Sequence, residues 1–142
     1  MLQRIVHPID PSDLEDAGLV FAQFRTLEAI TQGDSIYVNA SGYIGRALAT
    51  ASGTMHAIGV AHRAIASGLI GRIVTHGAFH TSGYNASGFI GLLAYVSTGS
   101  AGGVQTTQPT ASGQLVQAVG HWVDGSGVYV AIQGAYQRGQ TL

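Results

Sequence analysis

From Leu19 onward the chain alternates short apolar runs with glycine. Gly33, Gly42, Gly45, Gly53, Gly59, Gly68, Gly71 and Gly77 separate stretches of four to eight residues rich in valine, isoleucine, tyrosine and threonine. Such punctuated, β-branched runs are the mark of strands and turns. The pattern predicts strands over residues 34–39, 43–50, 55–62, 70–76, 89–96, 102–107, 114–123 and 127–133. Alternation is cleanest in "SIYV" and "VYVAI", where successive side chains point to opposite faces. "TMHAIGVAHRAIA" also reads as a helix because alanine favours one. Gly59 in its middle costs about 1 kcal/mol there, and its β-branched neighbours prefer a strand. The expected class is all-β: a small sandwich or barrel of short strands with an extended N-terminal arm.

Residues 1–18 form that arm, and residues 19–142 a single β-rich domain. Leu2, Ile5, Val6 and Ile9 precede "DPSDLED", which holds four of the chain's seven acidic residues. Pro8 and Pro11 favour extended backbone in the residues before them, so residues 2–9 suit a strand laid on the body or on another chain. Ser12 with Glu15 three residues later also fits the capping box of a short helix.

One phrase is written twice. Tyr37-Val38 matches Tyr95-Val96, "NASG" matches "STGS", Ala51-Ser52-Gly53 matches Ala111-Ser112-Gly113, and Ile58-Gly59-Val60 matches Val119-Gly120-His121, at offsets of 58 to 61 residues. A hairpin with a returning strand cannot bury its apolar face alone, so a second copy packed face to face supplies the other half of a core. "NASGYIG" at 39–45 and "NASGFIG" at 85–91 make a competing match at an offset of 46.

Composition shifts attention from pockets to surfaces. Charged residues are 9 % of the chain, there is no lysine, and 46 % is apolar. A typical domain carries roughly 25 % charged residues. So few charges leave a body prone to association, and much of its outside is expected to be covered by other chains. The net charge is −1, and Arg4, Arg25, Arg46, Arg63, Arg72 and Arg138 are dispersed, which argues against direct nucleic-acid binding. No cysteine is present, so neither disulfides nor thiolate metal sites are available. The N-terminal segment turns acidic where a signal peptide needs an apolar run, and no apolar stretch approaches membrane-spanning length. A soluble protein made in the cytoplasm, with no membrane partner, is expected.

Chemistry-bearing residues are sparse. His76 and His80 would share a strand face, but Gly77 and "TSGYNASG" point to a loop, and no acid lies within forty residues to complete a metal site. His56, His62 and His121 read as interface or surface residues. There is no nucleophile elbow, and Asp13, Glu15 and Asp16 lie in a Pro-flanked stretch unsuited to fixed acid–base geometry. No enzymatic activity and no cofactor are expected. Asn39 and Asn85 form sequons that read better as turn residues with positive φ.

"GDSIYVNASGYIGRALATASGTMHAIGVA", "GLIGRIVTHGAF" and "AYVSTGSAGGVQTTQPTASGQLVQAVGHWVDGSGVYV" together resemble the pattern of tailed-bacteriophage capsid decoration (cement) proteins. Gly33 to Gly42, Ile58 to Ala61 and Ile70 to Gly77 fill its motif positions, and the likeness spans roughly residues 30–133. It implies a β-rich body bound as a homotrimer to the outer capsid surface, in the virion. The partner would be the major capsid protein, with the arm reaching neighbouring subunits through Leu2, Arg4, Ile5, Val6, His7 and Ile9. The second half also resembles tail-fibre and tail-tip segments. The alternative is therefore a tail, collar or fibre-attachment component, with aromatics such as Tyr43, Tyr84, Phe89 and Trp122 exposed in loops.

Overall fold

The structure, a computed structural model, describes residues 18–50 and 52–138. It is almost entirely β. Among the described residues eleven strands follow in order: β1 (Val20–Arg25), β2 (Ser35–Val38), β3 (Ile44–Arg46), β4 (Ala57–Ala61), β5 (Ile70–His80), β6 (Leu93–Val96), β7 (Val104–Gln105), β8 (Leu115–Val116), β9 (Ala118–Asp124), β10 (Gly127–Ala131) and β11 (Tyr136–Gln137). Nine of them make one antiparallel sheet in the order β3-β2-β4-β5-β10-β9-β6-β7, with β1 also paired to β5. Of sandwich and barrel it takes the second form, a sheet curled into a half-barrel. Segment 47–49 ties the two ends of the curl together. The Ala49 N–H donates to Ser97 O (2.9 Å), the Gly102 N–H to Ala47 O (2.8 Å) and the Leu115 N–H to Ala49 O (2.7 Å).

The written-twice phrase is built twice. β2 pairs with both β3 and β4, and β6 pairs in the same way with β7 and β9. Both units carry a bulge at the same place. Ile36 faces Gly59 and Tyr37 faces Ala57, leaving Ile58 extra; Ala94 faces Gly120 and Tyr95 faces Ala118, leaving Val119 extra. The glycines beside the bulges have one reason in common. A Cβ on Gly59 would collide with the Val74 carbonyl oxygen, and one on Gly120 with the Tyr129 carbonyl oxygen. Val74 stands opposite Val60 as Tyr129 stands opposite His121, so the two collisions occupy equivalent positions. Turn capping repeats too: Asn39 Oδ1 accepts the Ser41 and Tyr43 N–H groups, and Ser97 Oγ those of Gly99 and Ser100. The competing segment 85–91 lies between β5 and β6, not in a hairpin of this kind.

The units join edge to edge through β5 and β10, and they turn opposite faces inward. In the first, Tyr37, Val60 and Val74 enter the main core while Ile36, Ala61 and Ile73 enter a second cluster with Ile30, Ile44 and Ile65. In the second, Trp122 and Val128, equivalent to Ala61 and Ile73, enter the main core, and the His121–Tyr129 row faces solvent. A bulge at Thr75 permits the inversion: Val20 pairs with His76 and Phe21 with Val74, so the alternation slips by one. Val74 and Phe79, an odd number of residues apart, then reach the same core.

Sequence reading placed most strands and missed β1 and β11. The strand expected over 114–123 divides into β8 and β9 at Gln117. The loop expected after His76 is instead strand, because β5 continues through Gly77 to His80. Gly77 does not end the strand. It pairs with Val130, and a side chain there would strike the Gly18 carbonyl and Leu19. Among the described residues it is the glycines, Gly42 and Gly88 included, that take positive φ, while Asn39 works by capping.

Candidate interaction surface

The inversion leaves the outer face of the second unit bare. His76, Ala78 and His80 alternate outward along β5, joined by His121 and Val123 from β9 and Tyr129 from β10. The His76 and Tyr129 rings meet edge to face at 6.0 Å. His80 Nε2 lies 2.8 Å from Asp124 Oδ2, so the fold supplies the acid that sequence distance denied. The Ser126 backbone N–H, seconded by His80, holds the Asp124 carboxyl below the usual carboxylate range. This remains a pair: among the described residues no three His, Cys, Asp or Glu side chains stand close enough to hold a metal ion. His121 is a surface residue, as expected, and His56 is exposed; His62 is buried, its ring edge-on to Phe21 at 4.8 Å.

Two apolar patches flank the body. Leu69 (59 % exposed) and Ile70 (61 %) lie at the turn between β4 and β5. Leu27 lies beside them, since Thr26 N–H donates to Leu69 O (3.0 Å) and Ser67 Oγ to Leu27 O (3.4 Å). Ile90 (60 %) and Leu92 (55 %) project from the loop before β6. The Trp122 N–H donates to Leu92 O and the Gly91 N–H to Trp122 O, which sets this loop against β9 and the exposed Val123. Aromatics expected in loops divide: Tyr43 is exposed and Phe89 half-buried, but Trp122 and Tyr84 are core residues whose rings meet edge to face at 5.4 Å. Leu2, Arg4, Ile5, Val6, His7 and Ile9 lie outside the described residues.

A cleft of about 370 Å³ opens between the 31–34 loop, the end of β4 and the end of β5. Its lining is Gln32, His62, Arg63, Phe79, His80, Thr81 and Ser82. A short network holds the wall: Thr81 Oγ1 donates to Gln32 Oε1 (3.1 Å), and Gln32 Nε2 (3.2 Å) and an Arg63 guanidinium nitrogen (2.9 Å) donate to His62 O. Among the described residues of its lining are one guanidinium and two imidazoles, and none of these described residues carries a carboxylate. Next to it, Tyr84 donates its buried hydroxyl to Gly33 O (2.8 Å), and burial, helped by Asp34, pushes the phenol well above its ordinary range. Burial also raises the Asp34 carboxyl, against the lowering effect of the Thr31 N–H. Sequence spacing offered no signal for this cleft, whose residues come from three separate segments.

No protein-family model matches the chain, and no curated protein matches it. No helix among the described residues is long and apolar enough to cross a membrane.

Proposed function

We propose that the chain is a virion structural protein, a decoration or cement protein that binds the outer surface of a tailed-phage head as a homotrimer and stabilises the shell. The observation that carries this reading is the pair of exposed apolar patches, Leu27–Leu69–Ile70 and Ile90–Leu92–Val123, on a body with few charges. Apolar groups gathered on a surface mark contacts with partner chains. Two unlike patches on one body fit heterologous contacts, which close into rings when the rotation between copies allows it. Arm residues 2–9, added to a sheet edge of the major capsid protein, would contribute backbone hydrogen bonds without a deep pocket. Linked weak contacts across several subunits then hold each copy by high effective concentration. No catalytic step, cofactor or direct nucleic-acid contact forms part of this reading.

Quantitative mass spectrometry of purified particles tests it. Copies approaching the number of major capsid subunits are expected; a dozen or fewer would move the protein to the tail or collar, and none would overturn a virion role. A chain lacking residues 1–10 is expected to fold and to lose stable attachment to shells in a pull-down. Equal binding by the truncated chain would refute the arm's part.

A further inference from the structure

Another groove, about 230 Å³, borders the same 31–34 loop: Asp34 lies on one side, with Gly83 and Tyr84 from the turn after β5, and Gly102, Gly103 and Val104 from the β6–β7 turn, around it. Asp34 Oδ2 accepts the Thr31 N–H (2.8 Å), and Gly102 leaves room for the carboxyl, since a Cβ there would come within 2.6 Å of its carbon. The side chain is half-buried and makes no ion pair among the described residues; Arg46, whose charge reaches it, is held 2.8 Å from Glu28 instead. An asparagine would accept the Thr31 N–H equally well. The turn needs the oxygen, and burial disfavours the charge.

Arg25 is the converse. It ends β1 exposed, opposite Ile70 and beside the apolar Leu27 and Leu69, and its guanidinium has no ion-pair partner among the described residues. Arg72, by contrast, lies over the Phe21 ring at 4.6 Å. The charges that act on Asp34 within one copy are Arg46 and Glu28, so Arg25 is out of its reach there.

We propose that the Asp34 groove receives Arg25 from a second copy of the chain, a head-to-tail contact that rests on the reading above that copies meet one another. A guanidinium offers planar, charged donors to a carboxylate, and the bond it forms is stronger than a neutral one. Gly83, Gly102 and Gly103 put no side chain into the groove, while Tyr84 and Val104 give the methylene stem an apolar surface to lie on. Seating Arg25 brings Leu27, Leu69 and Ile70 against the neighbouring copy, so one exposed apolar patch is covered with it. The surface that gives the arginine differs from the one that receives it. Each added copy therefore keeps one of each free, and the contact closes into a ring where the rotation between copies allows it.

Sedimentation of the purified full chain over a range of concentrations is the test, with urea midpoints as the check on folding. Arg25→Ala and Asp34→Asn are each expected to weaken self-association about tenfold, and the two together no further, because both residues serve one contact. Asp34→Asn keeps an acceptor for the Thr31 N–H, so the turn is retained. Arg138→Ala, at a half-buried arginine elsewhere on the body, should leave association unchanged. A wild-type chain that stays monomeric, association that ignores either variant, or effects that add in the double variant would overturn the proposal. An equal loss with Arg138→Ala would also overturn it, by assigning the effect to overall charge. Copy number in particles is measured separately, so a virion protein whose copies do not meet through Arg25 is told apart from a chain with no place in the particle.

Discussion

Gln117, from the second unit, bonds directly to the backbone of β4 in the first. It is buried, and its amide takes the place of a neighbouring strand: Oε1 accepts the Ala57 N–H (2.8 Å), and Nε2 donates to Ala57 O (2.9 Å) and Gln133 O (2.9 Å). Replacing it with methionine keeps the length and removes all three bonds. Gln133 is exposed, so its carbonyl can turn to water, but Ala57 is buried and both its backbone groups lose their partner. Each buried group left unsatisfied costs about 1–2 kcal/mol, so Gln117→Met is expected to lose about 2–4 kcal/mol. At roughly 3 °C per kcal/mol for a chain of this size, Tm falls by roughly 6–12 °C. Trp122, the single tryptophan and 1 % exposed, reports urea unfolding by its fluorescence. Gln117→Glu separates the terms. Its carboxylate keeps the Ala57 N–H but meets two carbonyl oxygens, so its folded pKa rises; the variant is most stable while protonated and loses stability as pH rises through that pKa. A Gln117→Met midpoint within about 0.5 kcal/mol of wild type would refute the reasoning.

Gly59→Ala and Gly120→Ala each drive a Cβ into a backbone carbonyl and are expected to cost about 3 kcal/mol or more, while Gly53→Ala, with open space around it, stays within about 1 kcal/mol; urea midpoints compare all three. Asp34→Asn keeps an acceptor for the Thr31 N–H (2.8 Å) and removes a carboxylate that burial disfavours. Because the folded pKa of Asp34 is raised, its stabilising protonation is lost as pH rises through that value. The asparagine variant should therefore be the more stable at pH 7, with the gap closing near about pH 4. Leu69→Ser with Ile70→Ser, and separately Ile90→Ser with Leu92→Ser, should leave the urea midpoint within about 1 kcal/mol and weaken self-association or shell binding measured by sedimentation.

The chain by itself determined that the protein is all-β, where most strands lie, and that one unit is written twice. These features are local: β-branched runs, turn glycines, and paired glycines at equivalent bulges. Only the tertiary structure decided which face of each unit turns inward. "SIYV" carries apolar side chains on both faces, so its alternation names two surfaces without choosing between them. The choice follows from the Thr75 bulge and the β5–β10 pairing, which bring Val74 and Phe79 into one core and leave His121 and Tyr129 outside. Gln117 looked like one more strand residue until the fold placed Ala57 against it, and the cleft drew Gln32, Arg63 and Ser82 from three segments. Such contacts depend on long-range pairing, which local alternation does not encode.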